Sequence, residues 1–204
     1  MNWQQALKRL CEGNQRFMLG KTLYHENQHQ RRADLLAGQS PFAIILGCAD
    51  SRVPAELVFD QGLGDLFVIR IAGNIVAPSQ IGSVEFAVEK FGTPLIVVLG
   101  HTQCGAISAT IEAITQGPGQ SIAQHLGSIV KRIAPNVRNL LKLSLPAAQL
   151  EARACEANIR ASVQQLRNSS EFLERELLAS RIQVVGAQYN LESGQVHIYE
   201  DSII

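Results

Sequence analysis

The chain has no surplus charge of either sign. Lysine plus arginine and aspartate plus glutamate stand at 18 each in 204 residues, and no block of like charges forms a tail. No net field therefore draws nucleic acid or an anionic membrane, and a small or neutral substrate fits better. Long apolar runs are missing too: the N-terminal MNWQQALKRLCEGNQRF is charged throughout and lacks an apolar h-region, and no run elsewhere is long enough to cross a bilayer. The expected compartment is the cytoplasm. Cysteine occurs four times and never as a CxxC pair; in a reducing compartment such thiols are metal ligands, nucleophiles or buried apolar groups. Cys11 and Cys155 are read as structural. GLGD at 62–65 and GPGQ at 117–120 lack the strand–GxGxxG–helix setting of a dinucleotide site, so no nucleotide cofactor is expected. Internal repeats, low-complexity segments and linkers are absent as well. With 46% apolar residues, this suits one domain over 1–204, with a helical arm and loop at 1–38 and an α/β core at 39–204.

What is present reads as alternation. Trp3, Ala6, Leu7, Leu10, Asn14 and Phe17 recur at helical spacing over 2–18, which predicts an amphipathic helix ending near Gly20. The polar stretch that follows predicts a loop and a short helix over Arg31–Ala37. Strands are then expected at Phe42–Leu46, Leu66–Ile69 and Leu95–Leu99, with helices after Pro54, over Ser83–Phe91 and over Cys104–Thr115. Such alternation predicts an α/β fold with a mainly parallel central sheet flanked by helices. Beyond GPGQ the pattern is helical, at about 121–133, Ala147–Leu166 and Glu171–Ala179. A strand at Ile182–Ala187 and a hairpin through Glu192-Ser193-Gly194 into Val196–Tyr199 close the chain.

Two of these strands end alike. FAIILGC (42–48) and LIVVLGH (95–101) each close on Gly and a metal-capable residue, and Cys104 follows three positions after His101. In an open α/β sheet, ligands bind beyond the carboxyl ends of the strands, which is where Cys48 and His101 fall. Cys104 falls at a helix N-terminus, whose dipole favours a thiolate. Two thiolates and an imidazole suit Zn²⁺, and three protein ligands leave the fourth position that a catalytic zinc needs. Taken singly, each residue is an ordinary buried group; the coincidence of strand ends joins them.

Asp50 and Arg52 follow Cys48 at once. A carboxylate that close can reach the open position of the metal, either accepting a hydrogen bond there or displacing water. A bidentate pair with Arg52 would hold it off and keep it ionised.

CADSRVPAE at 48–56 and GHTQCGA at 100–106 resemble the two signatures of β-class carbonic anhydrases, and the likeness extends through FDQGLGDLFVIRIAGN (59–74), SVEFAVEKFGTPLIVVLGH (83–101) and VVGAQYNLESGQV (184–196). The resemblance implies one zinc per chain on Cys48, His101 and Cys104, with Asp50 and Arg52 as a gating dyad and Asp50 a conditional fourth ligand in a closed state. It implies reversible hydration of carbon dioxide to bicarbonate and a proton by zinc-bound hydroxide. Gln39, Phe67, Ala72, Phe86 and Gly105 match the substrate pocket of the family. Part of that pocket comes from a neighbouring subunit, so a homodimer or a dimer of dimers is implied, with the N-terminal helix packing on the partner. One subgroup is inhibited by bicarbonate at a second site that uses a Trp, an Arg and a Tyr. Here Arg70 and Tyr189 match, but Ile45 replaces the Trp and Gln39 marks the other subgroup, so an open, constitutively active site is expected. Arg70 then reads as an interface or surface ion pair and Tyr189 as a strand-end aromatic. His25, His29, His125 and His197 could shuttle protons but have no supporting motif, and read as solvated surface.

Three other readings stay open at this level: hydrolysis of carbonyl sulfide or carbon disulfide by the same ligands, a bicarbonate-responsive or structural zinc protein without turnover, and a thiol redox role. The last is weakened by the missing CxxC partner, and the second by the gate, which a closed four-ligand site would not use.

Overall fold

The computed structural model describes residues 1–23, 28–117 and 123–202, the side chains of residues 28 and 29 excepted. Helix α1 (Trp3–Met18) starts from a capping box: the Asn2 side chain accepts from the Gln5 N–H at 2.9 Å, and the Gln5 side chain accepts from the Asn2 N–H at 3.0 Å. Helix α2 (Gln28–Asp34) and a 3₁₀ turn at Leu35–Ala37 lead to β1 (Ala43–Gly47), α3 (Ala55–Val58) and β2 (Leu66–Arg70). Then come α4 (Pro78–Phe91), β3 (Leu95–His101), α5 (Gly105–Gln116), α6 (Leu126–Val137), α7 (Ala147–Arg167), α8 (Glu171–Leu178), β4 (Gln183–Tyr189) and β5 (Val196–Ile198).

The strands form one sheet in the order β2-β1-β3-β4-β5, parallel except for the antiparallel β4–β5 pair. Both faces are covered, which is why β1 and β3 read as unbroken apolar runs. Alternate side chains serve opposite faces. Ala43, Ile45, Val97, Leu99, Val185 and Ala187 pack against Ala6 and Leu10 of α1 and against α3. Ile44, Leu46, Ile96, Val98 and Val184 pack against α4, α7 and α8. Each such aliphatic side chain contributes roughly 1.5–3 kcal/mol on full burial. The apolar stripe of α1 thus lies on the chain's own sheet, and any partner must be met by other surfaces of that helix.

Most elements fall within a residue or two of expectation. Helix α4 starts at Pro78 rather than Ser83, because proline is suited to the first helical position, where its missing N–H is no loss. Helix α6 runs four residues past the expected end and through Pro135. Its anticipated start at 121–122, residues 118–120 of the GPGQ turn, and His25 lie outside the described residues. A 3₁₀ turn at Leu140–Leu143 was not anticipated.

Gly13 sets how closely α1 can dock. A Cβ there would lie 1.8 Å from the Phe59 carbonyl oxygen. Gly13→Ala should therefore cost about 1–3 kcal/mol through overpacking, despite a gain of about 1 kcal/mol in helix propensity. A lower urea midpoint would register that cost, and an unchanged midpoint would show that α1 does not dock through this residue.

Candidate metal centre

The order β2-β1-β3-β4 reverses direction between β1 and β3, the place where open α/β sheets leave a crevice at their carboxyl edge. Gly47 pairs with Leu99, so Cys48 leaves β1 beside the end of β3, where His101 sits. Gln103 then takes a left-handed turn (φ +54°) that sets Cys104 as the N-cap of α5. The Cys104 carbonyl accepts from the N–H groups of Ile107 and Ser108 at 2.9 and 3.1 Å.

Cys48, His101 and Cys104 are 4, 1 and 2% exposed. Their ligand-capable atoms all lie within 4.8 Å of one another, with the two sulfurs 4.0 Å apart. The His101 Nδ1 faces the Thr102 carbonyl at 2.9 Å, which makes it the protonated nitrogen and leaves Nε2 as a lone pair. That Nε2 is buried and has no hydrogen-bond partner. A buried polar atom without a partner is costly, and here it sits within reach of two thiols. The donor set fits a tetrahedral, borderline-soft divalent cation with one position left over.

Electrostatics of the bare trio agree. The hydrogen bond shared by the two sulfurs outweighs the opposing burial and pulls the Cys48 thiol down, helped by His101 and the Gly73 N–H. The same contact, with burial, pushes Cys104 up. Burial depresses His101, yet the neighbouring Cys48 sulfur and the bond to Thr102 raise it overall. A bound divalent cation would have to expel the proton the two sulfurs share, which makes metal affinity pH-dependent.

Asp50 and Arg52 form the anticipated pair. Arg52 Nε donates to Oδ1 at 2.9 Å and Nη2 to Oδ2 at 2.7 Å, while its backbone N–H also donates to Oδ1 at 3.0 Å. The Arg52 hydrogen bonds hold the Asp50 carboxyl well below the usual carboxylate range, against partial burial. Asp50 Oδ2 stands 3.9 Å from His101 Nε2. Arg52 Nη2 also donates to the Gln103 carbonyl at 3.2 Å, tying together the loops after β1 and β3.

The pocket residues divide. Ala72, in the 3₁₀ turn Ala72–Asn74, and Gly105, at the start of α5, flank the trio. Gln39, Phe67 and Phe86 do not reach the chain's own trio. Gln39 is exposed and precedes β1 at its far end. Phe67 pairs with Ile44, four residues back from Cys48, or roughly 13 Å along the strand. It packs with Phe86 and Phe91, ring centroids 5.7–6.2 Å apart, and Phe86 is 51% exposed.

Arg70 has carbonyl partners within the chain. It makes no ion pair among the described residues; its Nε and Nη2 donate to the carbonyls of Cys48 and Asp50 at 3.1 and 2.5 Å, clamping the loop that carries both residues. Tyr189 is a buried strand-end aromatic opposite His101, and its hydroxyl is raised by burial. Cys155 is buried beside the site, but Cys11 is exposed on α1 and so is not a core residue. His125 and His197 are exposed, and the side chain of His29 lies outside the described set. Sequence reasoning missed two further supports. Gly73 donates its N–H to Cys48 Sγ at 3.3 Å, and Thr102 accepts from Leu191 N–H at 3.1 Å while donating its own N–H to Tyr189. The AGN triplet after a strand was the available signal for the first.

The family model described as carbonic anhydrase matches residues 43–196. A carbonic anhydrase of Mycolicibacterium smegmatis is 40% identical over 95% of this chain and 91% of its own length. Among solved structures, the β-carbonic anhydrase CcaA superposes with a TM-score of 0.74 at 27% identity, covering 96% of this chain and 88% of its own. One of two tetrameric β-carbonic anhydrases of Sordaria macrospora shares the fold with a TM-score of 0.73 at 24% identity, covering 85% and 87%.

Proposed function

The chain belongs to the β-class carbonic anhydrases and catalyses reversible hydration of carbon dioxide, and from that premise we propose which of its residues carry the reaction. Cys48, His101 and Cys104 hold one zinc ion per chain. The observation that carries this is the buried, unpartnered His101 Nε2 with two sulfurs within 4.8 Å of it. Zinc bound there supplies the Lewis acidity that makes water nucleophilic near neutral pH.

Asp50 stays ionised and, held by Arg52, stands beside the open position instead of entering it. The remaining lone pair on Oδ2 accepts a hydrogen bond from the attacking group and aims that group at the substrate carbon. Ala72 and Gly105 form the chain's own part of the pocket: a Cβ at Gly105 would meet nothing within 4 Å, which leaves its N–H open to an oxygen of an uncharged linear substrate. Gln39, Phe67 and Phe86 complete the pocket from a second copy, giving a homodimer or a dimer of dimers. The exposed aromatic cluster around Phe86 supports that reading, since such a patch is suited to an interface. The intact Asp50–Arg52 pair supports an open, constitutively active site. No described helix is long and apolar enough to cross a membrane. The free thiols of all four cysteines support a reducing, cytoplasmic setting.

Stopped-flow hydration of carbon dioxide, with zinc content measured on the same sample and carbonyl sulfide assayed in parallel, tests the assignment. Turnover should rise from neutral into alkaline pH, because two thiolate ligands donate more charge to the metal than imidazoles would and so weaken its acidity. A flat profile between neutral and mildly alkaline pH would count against the ligand set.

A further inference from the structure

Segment 72–76 lies directly under the metal centre, and its backbone is unusual. Gly73 (φ +69°) and Asn74 (φ +42°) are consecutive left-handed residues, a conformation that must be held from outside. Contact from two sides leaves little freedom: a Cβ at Gly73 would come within 2.7 Å of Ile133 Cδ1 on α6 and 3.1 Å of Ala106 Cβ on α5.

Helix α7 holds the segment through three side chains at helical spacing. Asn158 Nδ2 donates to the Gly73 carbonyl at 2.8 Å, Ser162 Oγ to the Asn74 carbonyl at 3.1 Å, and Gln165 Nε2 to the Val76 carbonyl at 3.3 Å. Asn158 is 1% exposed. Its Oδ1 accepts from Asn136 Nδ2 of α6 at 3.1 Å, which fixes the orientation of the amide. A buried amide is costly unless both ends are satisfied, and here both are. The residue so anchored is the one whose N–H donates to Cys48 Sγ.

We propose that Asn158 is a positioning residue for the metal centre: by holding the Gly73 carbonyl it keeps the Gly73 N–H on the Cys48 sulfur. That hydrogen bond draws charge from the thiolate and limits where the sulfur can sit, so Asn158 tunes the metal from two bonds away. Outer-shell partners of this kind change metal affinity by about tenfold to a hundredfold. The inference rests on Cys48 being a ligand. Ser162 is the internal control, because its bond goes one residue further along and leaves the Gly73 carbonyl untouched.

The test uses the full chain loaded with cobalt(II) in place of zinc. Its readouts are the thiolate-to-cobalt charge-transfer band and the rate of metal release to a chelator. Asn158→Ala should move the band to lower energy and speed release by about tenfold to a hundredfold, whereas Ser162→Ala should leave the band in place. Asn158→Leu, of similar volume, carries the same expectation should the alanine variant fail to fold. A folded Asn158 variant with unchanged band and release overturns the proposal, as does failure of both Asn158 variants to fold while Ser162→Ala folds, since the role is then structural. Absence of the band in the unmodified chain would instead sink the ligand assignment itself.

Discussion

Cys104→Ala is expected to fold, to carry no stoichiometric metal and to hydrate carbon dioxide no faster than buffer, a loss on the order of a thousandfold or more. Fold and metal separate cleanly at this position. The Cys104 side chain makes no capping hydrogen bond to α5; the carbonyl that meets the first helical N–H groups belongs to the backbone and survives the substitution. Removing a small, 2% exposed side chain costs its apolar contact, on the order of 1 kcal/mol, and its contact with the Cys48 sulfur. What disappears is one of three donors, and His101 with a single thiol cannot hold a divalent ion in competition with water. Metal analysis beside stopped-flow kinetics reads both halves. Retention of one metal per chain with full activity would move the metal centre elsewhere.

Arg52→Ala should keep its metal and still lose activity, by about a hundredfold in kcat/KM. Arg52 donates two side-chain hydrogen bonds to the Asp50 carboxylate. Without them Asp50, whose Oδ2 is already 3.9 Å from His101 Nε2, is free to turn toward the metal and occupy the position that substrate chemistry requires. The sign of the pH effect follows. With Arg52 present the Asp50 carboxyl is depressed, so the ionised pair persists through neutral and weakly acidic pH and is lost only on strong acidification. Without Arg52 that acid resistance goes. Asp50→Asn should also retain metal with reduced turnover. Full activity in either variant would reduce the pair to a surface ion pair, a class worth little.

The α/β class and the metal trio were legible because both rest on patterns the chain displays linearly. Strands buried on both faces read as apolar runs, and two of them end in Gly followed by a soft donor. Strand order was not legible, since any of several parallel arrangements buries the same runs. The partners of Arg70 within the chain were not legible, because they are backbone carbonyls, which no sequence displays. Phe67 and Phe86 were assigned by resemblance, and the single chain leaves them away from its own metal trio, packed on each other and on Phe91. Asn158 had a signal that went unread. It and Ser162 fall on the buried face of α7 among Ala154, Cys155, Ile159 and Val163, and a polar residue at a core position asks for a partner.

The parallel pairing of β1 with β3 also governs when the metal centre comes into being. His101 and Cys104 are local to each other, but Cys48 lies more than fifty residues upstream and joins them only once those strands are in register. Loop closure of that length, across a parallel pair and its crossover, belongs to the slow part of folding. The complete ligand set therefore exists in the native chain and not in its fragments or early intermediates. A metal held by that set would act on the folded side of the equilibrium, raising global stability by mass action while giving little help to the steps that precede strand pairing.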